Sequence, residues 1–267
     1  HAGEKVLDAA MRGHGFSFDH NLHALRIVED FEVRYAAFRG LNLTFEVREG
    51  IIKHSRDYSA QNFPELSEYL LDLRPPLEAQ LIDMADEVAY NTADLDDGLE
   101  ARLLTLEQIR AGLPLFDGFY REAEKTYPHA VEKLKFNEAL HDLYDRLAGD
   151  LIRNTQQRLK TENIHSLDEV RAFPQRLVGF SAQVDSERQQ IKEFLRTNVY
   201  QNAELDPGKN DAEKIIGELF EFWMKNPERL PRSYQEKDDP LPRVICDYIA
   251  GMTDNFIYEQ YEKYCPL

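Results

Sequence analysis

The sequence predicts an all-α fold, from three observations. Glycine and proline are sparse, with 13 and 12 among 267 residues, and they are clustered. Between the clusters, apolar residues recur at three- and four-residue spacing, which is typical of amphipathic helices. Only residues 176–184 have a strand-like alternation, and it is weak, so at most a short hairpin is expected there.

The same periodicity places the individual elements. Ser166 and Glu169 have the spacing of a capping box, which marks a helix start. Gly149 is expected to interrupt the longest helix, and residues 227–242, rich in proline and charge, are expected to form a surface loop. The predicted helices are residues 4–11, 20–38, 44–54, 77–97, 130–158, 166–173, 185–200, 212–225 and 241–264.

Composition excludes several classes of protein. Apolar residues make up 42% of the chain, enough for a hydrophobic core, yet no apolar run approaches the roughly 20 residues of a membrane helix. The two cysteines, Cys246 and Cys265, are too few for a disulfide framework, so a cytoplasmic location is predicted. The net charge of -17 repels polyanions and argues against nucleic acid as a partner.

A row of polar residues occupies one face of the predicted helix 77–97. Asp86, Tyr90 and Asp94 follow one another at four-residue spacing and therefore share that face. A solvated acidic helix face would have this pattern. The row would equally suit a metal ligand followed by groups that bind a sugar hydroxyl. The opposite face is expected to consist of Leu81, Met84, Val88 and Leu95.

Histidines near the start of the chain form a second candidate cluster. His1 is followed three residues later by Glu4, and a carboxylate in that position can orient the imidazole for proton transfer. An exposed terminal histidine beside a helix-start glutamate is the commoner meaning of this pattern. His20 by itself is typical of a helix-cap or surface residue.

Five sequence blocks follow one another along the chain: His1–Glu4, Phe18–Ile27, Gly40–His54, Ala85–Asp97 and Asp247–Asp254. The third contains Leu-Asn-Leu-Thr-Phe-Glu-Val-Arg-Glu-Gly-Ile-Ile-Lys-His, and the fourth begins Ala-Asp-Glu-Val-Ala-Tyr. In this order the blocks resemble those of the HD-domain deoxynucleoside triphosphate (dNTP) triphosphohydrolases, the dGTPase-like family. The resemblance covers almost the whole chain.

The resemblance implies a fold and an assembly. The fold would be an HD-domain helical bundle with a C-terminal helical extension. Residues 1–158 would form the C-terminal part of the catalytic core, and residues 159–267 a helical region packed on it. Family members are commonly hexamers, which implies a homo-oligomer.

The resemblance also implies an activity. The protein would hydrolyse dGTP, or dNTPs more broadly, to the deoxynucleoside and tripolyphosphate by metal-assisted attack at the α-phosphate. His1 and Glu4 match the catalytic histidine and its carboxylate partner, and His20 matches a histidine near the phosphates. Two alternatives stay open: a catalytically silent nucleotide-binding or regulatory protein, and an HD nucleotidase that acts on monophosphates.

Sugar and metal recognition are implied for the polar row. Tyr90 and Asp94 match residues that contact the deoxyribose and its 3'-hydroxyl. Asp86 matches the last ligand of a divalent metal ion, Mg²⁺ or Mn²⁺, with other transition metals as further options. The remaining His and His-Asp ligands are expected upstream of His1. His141-Asp142 is the chain's only His-Asp pair, and its place in a predicted helix does not match the motif.

Other residues have less specific interpretations. Lys53 and its neighbours Arg48 and His54 lie in a family block where a core-facing or interface salt bridge is expected as readily as chemistry. Lys192 and Tyr200 could contact a nucleotide, although helix-surface residues of these types usually have no specific role.

Overall fold

The computed structural model describes residues 2–201 and 206–265, apart from the side chains of residues 2 and 206–211. The chain divides into a terminal unit, His1–Asn42 with Ala203–Leu267, and a central unit, Leu43–Asn202. The helices in chain order are α1 (Ala2–Arg12), α2 (His20–Arg26), α3 (Phe45–Lys53), α4 (Leu77–Glu100), α5 (Leu106–Gly112), α6 (Pro114–Thr126), α7 (Glu132–Thr161), α8 (Leu167–Ala172), α9 (Ala182–Leu195), α10 (Asp206–Lys225), α11 (Arg232–Gln235), α12 (Leu241–Ala250) and α13 (Asp254–Tyr264).

The described chain is helical, as the sequence predicted. Two π-helical turns, Ile27–Phe31 and Arg196–Tyr200, continue α2 and α9, and 3-10 turns cover Pro64–Tyr69 and Pro227–Arg229. Within residues 2–201 and 206–265 there is no strand, and a single bridge joins Val33 to Gly40. None of the helices described is long and apolar enough to span a bilayer.

The core of the central unit forms where α4, α6, α7 and α9 pack together. Helix α7 contributes side chains at three- and four-residue spacing, from Phe136 to Leu151, and these face inward. The Phe136 ring lies 5.3 Å from that of Phe116 on α6. Helix α4 contributes Val88 and Leu95, both buried. The apolar stripe of each helix thus decides which of its faces is covered.

The longest helix is not interrupted at Gly149, contrary to the sequence prediction. Helix α7 continues without a break from Glu132 to Thr161. A glycine inside a helix costs about 1 kcal/mol, and the packing of neighbouring Leu147 and Leu151 offsets that cost. Residue 158 therefore lies within a continuous helix, and the division of the chain after residue 158 stays a prediction about domains.

No hairpin forms at residues 176–184. The first part of this segment is extended coil, and α9 begins at Ala182. The backbone N–H groups of Leu177 and Val178 donate to the side-chain oxygen of Gln80, at 2.6 and 3.3 Å, so one amide satisfies donors that a strand partner would otherwise take. Ser181 then caps α9 by accepting from the backbone N–H of Val184.

Two helices of the central unit were missed in the sequence. Helix α5 begins with a capping box in which Thr105 and Gln108 each accept from the other's backbone N–H. Helix α6 begins with Pro114, whose missing N–H costs nothing in a first turn. Both start signals are legible in the sequence, and the capping box predicted at Ser166 and Glu169 is confirmed at the start of α8.

In the terminal unit, α1 and α12 pack on α10. The indole of Trp223 on α10 is fully buried, and its ring lies 5.0 Å from that of Tyr248 on α12. Met11 on α1 is buried in the same cluster. The proline-rich stretch 227–242, predicted as a surface loop, holds a 3-10 turn, the short helix α11 and the first turn of α12.

The helix predicted for residues 20–38 ends early, at the π-helical turn. The chain folds back because the backbone N–H of Gly40 donates to Glu32 O and that of Leu41 to Val28 O, both at 2.8 Å. Gly40 has a φ of +74°, and a Cβ there would lie 2.3 Å from Glu29 O. Only glycine fits this close approach.

The last predicted helix, 241–264, is two helices. Gly251 follows the end of α12, and the hydroxyl of Thr253 accepts from the backbone N–H of Phe256 to cap α13. An N-cap residue has non-helical backbone angles, so continuous periodicity conceals a break that the cap residue reveals. The remaining predicted helices are present with shifted ends.

Leu143 tests the central core. It is fully buried on α7, so Leu143→Ala is expected to lower the free energy of unfolding by about 2–5 kcal/mol, measured by urea denaturation. Leu134 lies on the same helix with 55% of its surface exposed, and Leu134→Ala is the matched control, expected to cost less than about 0.5 kcal/mol. Equal losses for the two variants would contradict the assigned burial.

Candidate functional site

The predicted polar row lies along one face of α4 in the central unit. Asp86 is exposed, and Tyr90 and Asp94 are half-buried. Val88 and Leu95 face the core, as predicted, and hold the helix in this rotation. The prediction for Leu81 is wrong, since 42% of its surface is exposed. In the first turns of α4 a different face is buried, because Ala79 and Gln80 are the buried residues there.

Tyr90 lies in an environment that keeps its phenol protonated. Burial, together with the carboxylates of Glu87 and Asp86, raises the pKa of Tyr90 to about 12. A neutral phenol both donates and accepts hydrogen bonds. Tyr90 can therefore serve as a hydrogen-bonding residue across the whole neutral pH range.

Tyr200 contacts the row directly, a placement that the sequence did not predict. Its hydroxyl donates to Asp94 Oδ2 from the π-helical turn after α9. Burial and the Asp94 carboxylate raise the pKa of Tyr200 well above its ordinary value. The contact joins two segments more than a hundred residues apart in sequence, and the π-helical turn that aims the ring has no signature that we could read.

Glu87 is the buried acid of this region. One of its carboxylate oxygens contacts Arg188 Nη1, and Oε2 lies 3.1 Å from Lys192 Nζ. Both cations are on α9, and Arg188 also binds Asp185 in its own helix, with contacts of 3.0 and 2.6 Å. Helices α4 and α9 are thus joined by ion pairs beside the polar row.

The terminal unit holds Glu4 and His20 in contact. Glu4 Oε1 lies 3.0 Å from His20 Nδ1, which links α1 to the first residue of α2. Asp19 caps α2 by accepting from the backbone N–H of Leu22. His1, the predicted partner of Glu4, lies outside the described residues. Two of the predicted catalytic side chains are therefore neighbours, in a pairing that the sequence did not predict.

A cavity of 480 Å³ opens beside this pair within the terminal unit. Glu4 and His20 line it together with His23, and its other walls are largely apolar, including Ile216 and Ile249. An apolar pocket with a few convergent polar groups is the usual form of a small-molecule site. In the central unit, a groove of 920 Å³ between α3, α4 and α8 does not include the polar row.

Asp247, from the fifth family block, anchors α12 to α2. Its carboxylate is fully buried and accepts from Arg26 Nη2 at 2.7 Å, and His23 Nδ1 lies 3.3 Å from its other oxygen. Burial would raise the pKa of Asp247, but the contacts with His23 and Arg26 outweigh it and hold that pKa below its ordinary value. Arg26 also donates to Asp239 at 2.8 Å. These contacts pack α12 against α2.

The third family block is also structural. Lys53 Nζ is buried and donates to Glu49 Oε1 and to the carbonyls of Tyr69 and Leu70, so all three of its donors are used. Arg48 donates to the Tyr69 hydroxyl at 3.0 Å. The core-facing salt bridge expected as one interpretation of Lys53 is present.

The described residues contain a single carboxylate of the polar row that is exposed enough to meet a metal ion, that of Asp86. Asp86 supplies one exposed carboxylate, the kind of oxygen ligand that hard cations take. The described part of the chain contains no group of three or more His, Cys, Asp or Glu side chains arranged to hold an ion. His141 and Asp142 are both exposed on α7. The described residues alone do not fit a complete metal centre.

Comparison with known proteins places the chain in a family. The phosphohydrolase-associated domain matches residues 178–263. Deoxyguanosinetriphosphate triphosphohydrolase-like proteins match 98% of the chain: that of Geobacter sulfurreducens is 39% identical, with 68% of its own length covered, and that of Azoarcus sp. is 40% identical, with 69% covered. The chain belongs to the dGTPase-like HD-domain family. The family expected from the sequence blocks is thereby confirmed.

Family membership bears on two sets of residues, the polar row on α4 and the pair Glu4 and His20. The family motifs contribute both the row Asp86, Tyr90 and Asp94 and the pair Glu4 and His20. Members of this family of phosphohydrolases are expected to use a divalent metal ion, which agrees with the carboxylate offered by Asp86. The deoxyguanosinetriphosphate triphosphohydrolase-like protein of Ralstonia nicotianae is 40% identical over 98% of the chain, with 68% of its own length covered.

Acid should weaken the anchor at Asp247. Because the pKa of Asp247 is depressed in the folded protein, its contribution to stability is present above the unfolded value of about 3.9 and is lost as the pH falls through the folded value. Asp247→Asn should cost on the order of 3 kcal/mol near neutral pH, and the difference from the natural chain should shrink between pH 5 and pH 2. Urea denaturation at several pH values measures it.

Asp239 provides the control for this experiment. It binds the same guanidinium of Arg26 but is about one third exposed, so Asp239→Asn should cost little at any pH. A difference between Asp247→Asn and the natural chain that stays constant from pH 5 to pH 2 would show that the Asp247 carboxylate does not carry the stabilisation.

Proposed function

We propose that the protein hydrolyses deoxynucleoside triphosphates, dGTP or dNTPs more broadly, to the deoxynucleoside and tripolyphosphate. The observation that carries the proposal is the row on α4, where Asp86, Tyr90 and Asp94 share one face and Tyr200 reaches Asp94 from the π-helical turn after α9. The name of the similar proteins, deoxyguanosinetriphosphate triphosphohydrolase-like, supports the same activity. We further propose a cytoplasmic homo-oligomer, commonly a hexamer in this family.

Sugar recognition is assigned to Tyr90 and Asp94. A carboxylate has about four acceptor positions, so Asp94 can hold the Tyr200 hydroxyl and still accept from a 3'-hydroxyl. The protonated phenol of Tyr90 lies one turn earlier on the same face. A site that pairs its buried polar groups with the 3'-hydroxyl discriminates strongly against a sugar that lacks or crowds that group.

Proton transfer is assigned to the terminal unit. The carboxylate of Glu4, 3.0 Å from His20 Nδ1, fixes the orientation of the imidazole, as a general acid or base requires. In this scheme His20 helps to neutralise the phosphates, and His1 is the proposed catalytic histidine. When a water oxygen attacks the α-phosphorus, the bond to the 5'-oxygen breaks. The deoxynucleoside leaves with that oxygen and one proton of the water, and the tripolyphosphate keeps the water oxygen.

A divalent ion, Mg²⁺ or Mn²⁺, is the proposed cofactor, with Asp86 as one ligand. When bound, such an ion would polarise the phosphoryl group under attack. Asp86 is suited to this part because it is exposed at the start of the row and offers a carboxylate oxygen. The other ligands are proposed to come from the His and His-Asp motif expected upstream of His1.

The activity itself is the first test. The full-length protein, supplied with Mn²⁺ or Mg²⁺ and a dNTP, should release tripolyphosphate, detected by anion-exchange chromatography or ³¹P NMR, and EDTA should stop the release. Asp86→Ala should lower kcat at least about 100-fold with an unchanged unfolding transition.

Glu78 is the matched control, since it is exposed in the first turn of the same helix. Glu78→Ala should retain full activity. Tripolyphosphate release by Asp86→Ala at the natural rate would overturn the metal assignment. Nucleotide binding without any release would favour a silent binding protein, and release of inorganic phosphate from a monophosphate would favour a nucleotidase.

Sugar recognition has a separate test that compares dGTP with its 2',3'-dideoxy analogue. Removing the 3'-hydroxyl should lower kcat/KM of the natural enzyme by ~10- to 100-fold, the factor that corresponds to the loss of one hydrogen bond to a charged group. In Asp94→Asn the same removal should cost several-fold less, because the charged acceptor is gone. If both enzymes lose the same factor, Asp94 does not bind the 3'-hydroxyl.

A further inference from the structure

Glu87 divides its buried carboxylate between two cations of unequal solvent exposure. Arg188 makes several contacts, since it pairs with Glu87, donates two hydrogen bonds to Asp185 Oδ1 and lies 5.5 Å from the ring of Phe180. Its side chain is about one tenth exposed. Within the described residues, Lys192 pairs with the other oxygen of Glu87, at 3.1 Å, and 54% of its side chain is exposed.

This asymmetry separates a fixed contact from a releasable one. Moving Arg188 would leave a charge uncompensated in a desolvated position, which is costly. Moving Lys192 would expose an ammonium that is already half in solvent, and an exposed ion pair contributes about 1 kcal/mol or less. Glu87 can therefore lose Lys192 and keep its own position.

The site of this exchange is next to the polar row. Glu87 directly follows Asp86 and precedes Tyr90 by one turn of α4. The charges of Glu87 and Arg188 are both felt by the Tyr90 phenol, together with those of Asp86 and Asp94. The row contributes two carboxylates and a neutral phenol, and Lys192, paired with Glu87, is a half-exposed cation that an anion arriving there can contact.

We propose that Glu87 is a positioning residue that holds Lys192 at the edge of the row and gives it up to the phosphate chain of the ligand. Arg188 keeps Glu87, and with it the spacing of α4 and α9, unchanged during the exchange. The identity of the anion as a triphosphate rests on the proposed function. The exchange itself rests on the contacts of Glu87, Arg188 and Lys192.

The proposal predicts opposite effects on binding and on turnover. In Glu87→Gln the amide can still accept from Arg188, but the charge that competes for Lys192 is gone. Inorganic tripolyphosphate should then bind about 3- to 10-fold more tightly, because one negative charge has been removed from its neighbourhood. For dNTP hydrolysis, KM and kcat should both fall, since Lys192 is no longer held in place.

The experiment measures tripolyphosphate binding to the full-length protein by isothermal titration calorimetry at two ionic strengths, without turnover. Glu193→Gln is the matched control, because Glu193 is an exposed acid of the same α9 that pairs with Arg196. It should leave binding and kcat unchanged. Lys192→Met should weaken binding about 5-fold, and in that background Glu87→Gln should no longer tighten it.

Every outcome of the binding experiment either supports or contradicts the exchange. Equal effects of Glu87→Gln and Glu193→Gln, or a tightening by Glu87→Gln that persists without Lys192, would overturn the exchange. If Glu87→Gln fails to fold, Lys192→Met carries the test, and unchanged tripolyphosphate binding by that variant sinks the proposal. If the variants bind tripolyphosphate as expected but the protein hydrolyses no dNTP, the proposed function is refuted and the exchange stands.

Discussion

The rotation of α4 about its own axis is the constraint on which the candidate site depends. Val88 and Leu95 are buried against the core that α7 and α9 complete, and they cannot leave it without opening a cavity. With those residues fixed, helical geometry directs Asp86 and Tyr90 to a different face. If α4 had only core contacts to make, or only the polar row to present, other rotations about its axis would be possible. This helix satisfies both and has one orientation.

Ion pairs hold the second side of the same region. A buried carboxylate such as Glu87 is expensive unless it is compensated, and the two cations of α9 compensate it. That requirement brings α9 against α4 and with it the π-helical turn, so the hydroxyl of Tyr200 reaches Asp94. The ion pairs that compensate the buried charge of Glu87 therefore also position Tyr200, which belongs to a distant part of the sequence.

The terminal unit follows the same principle with different residues. Asp247 is buried, and its charge is balanced by Arg26, which ties α12 to α2. Because α2 is held there, its first residue, His20, meets Glu4 from α1. Family blocks from opposite ends of the chain are thus joined by an ion pair. One of those ends supplies Glu4 and His20, the pair that we place near the phosphates.

The sequence by itself determined the all-α class, most of the helices, the family and the membership of the polar row, because these depend on residue spacing along a helix and on short motifs. Only the tertiary structure decided that Glu4 meets His20, that Tyr200 reaches Asp94 and that Gln80 takes the place of a strand partner for Leu177. The tertiary structure likewise decided that α7 is unbroken and that the helix predicted for residues 20–38 ends early. Such outcomes depend on contacts between residues far apart in the chain, and local periodicity contains no information about which distant groups will satisfy a buried polar atom.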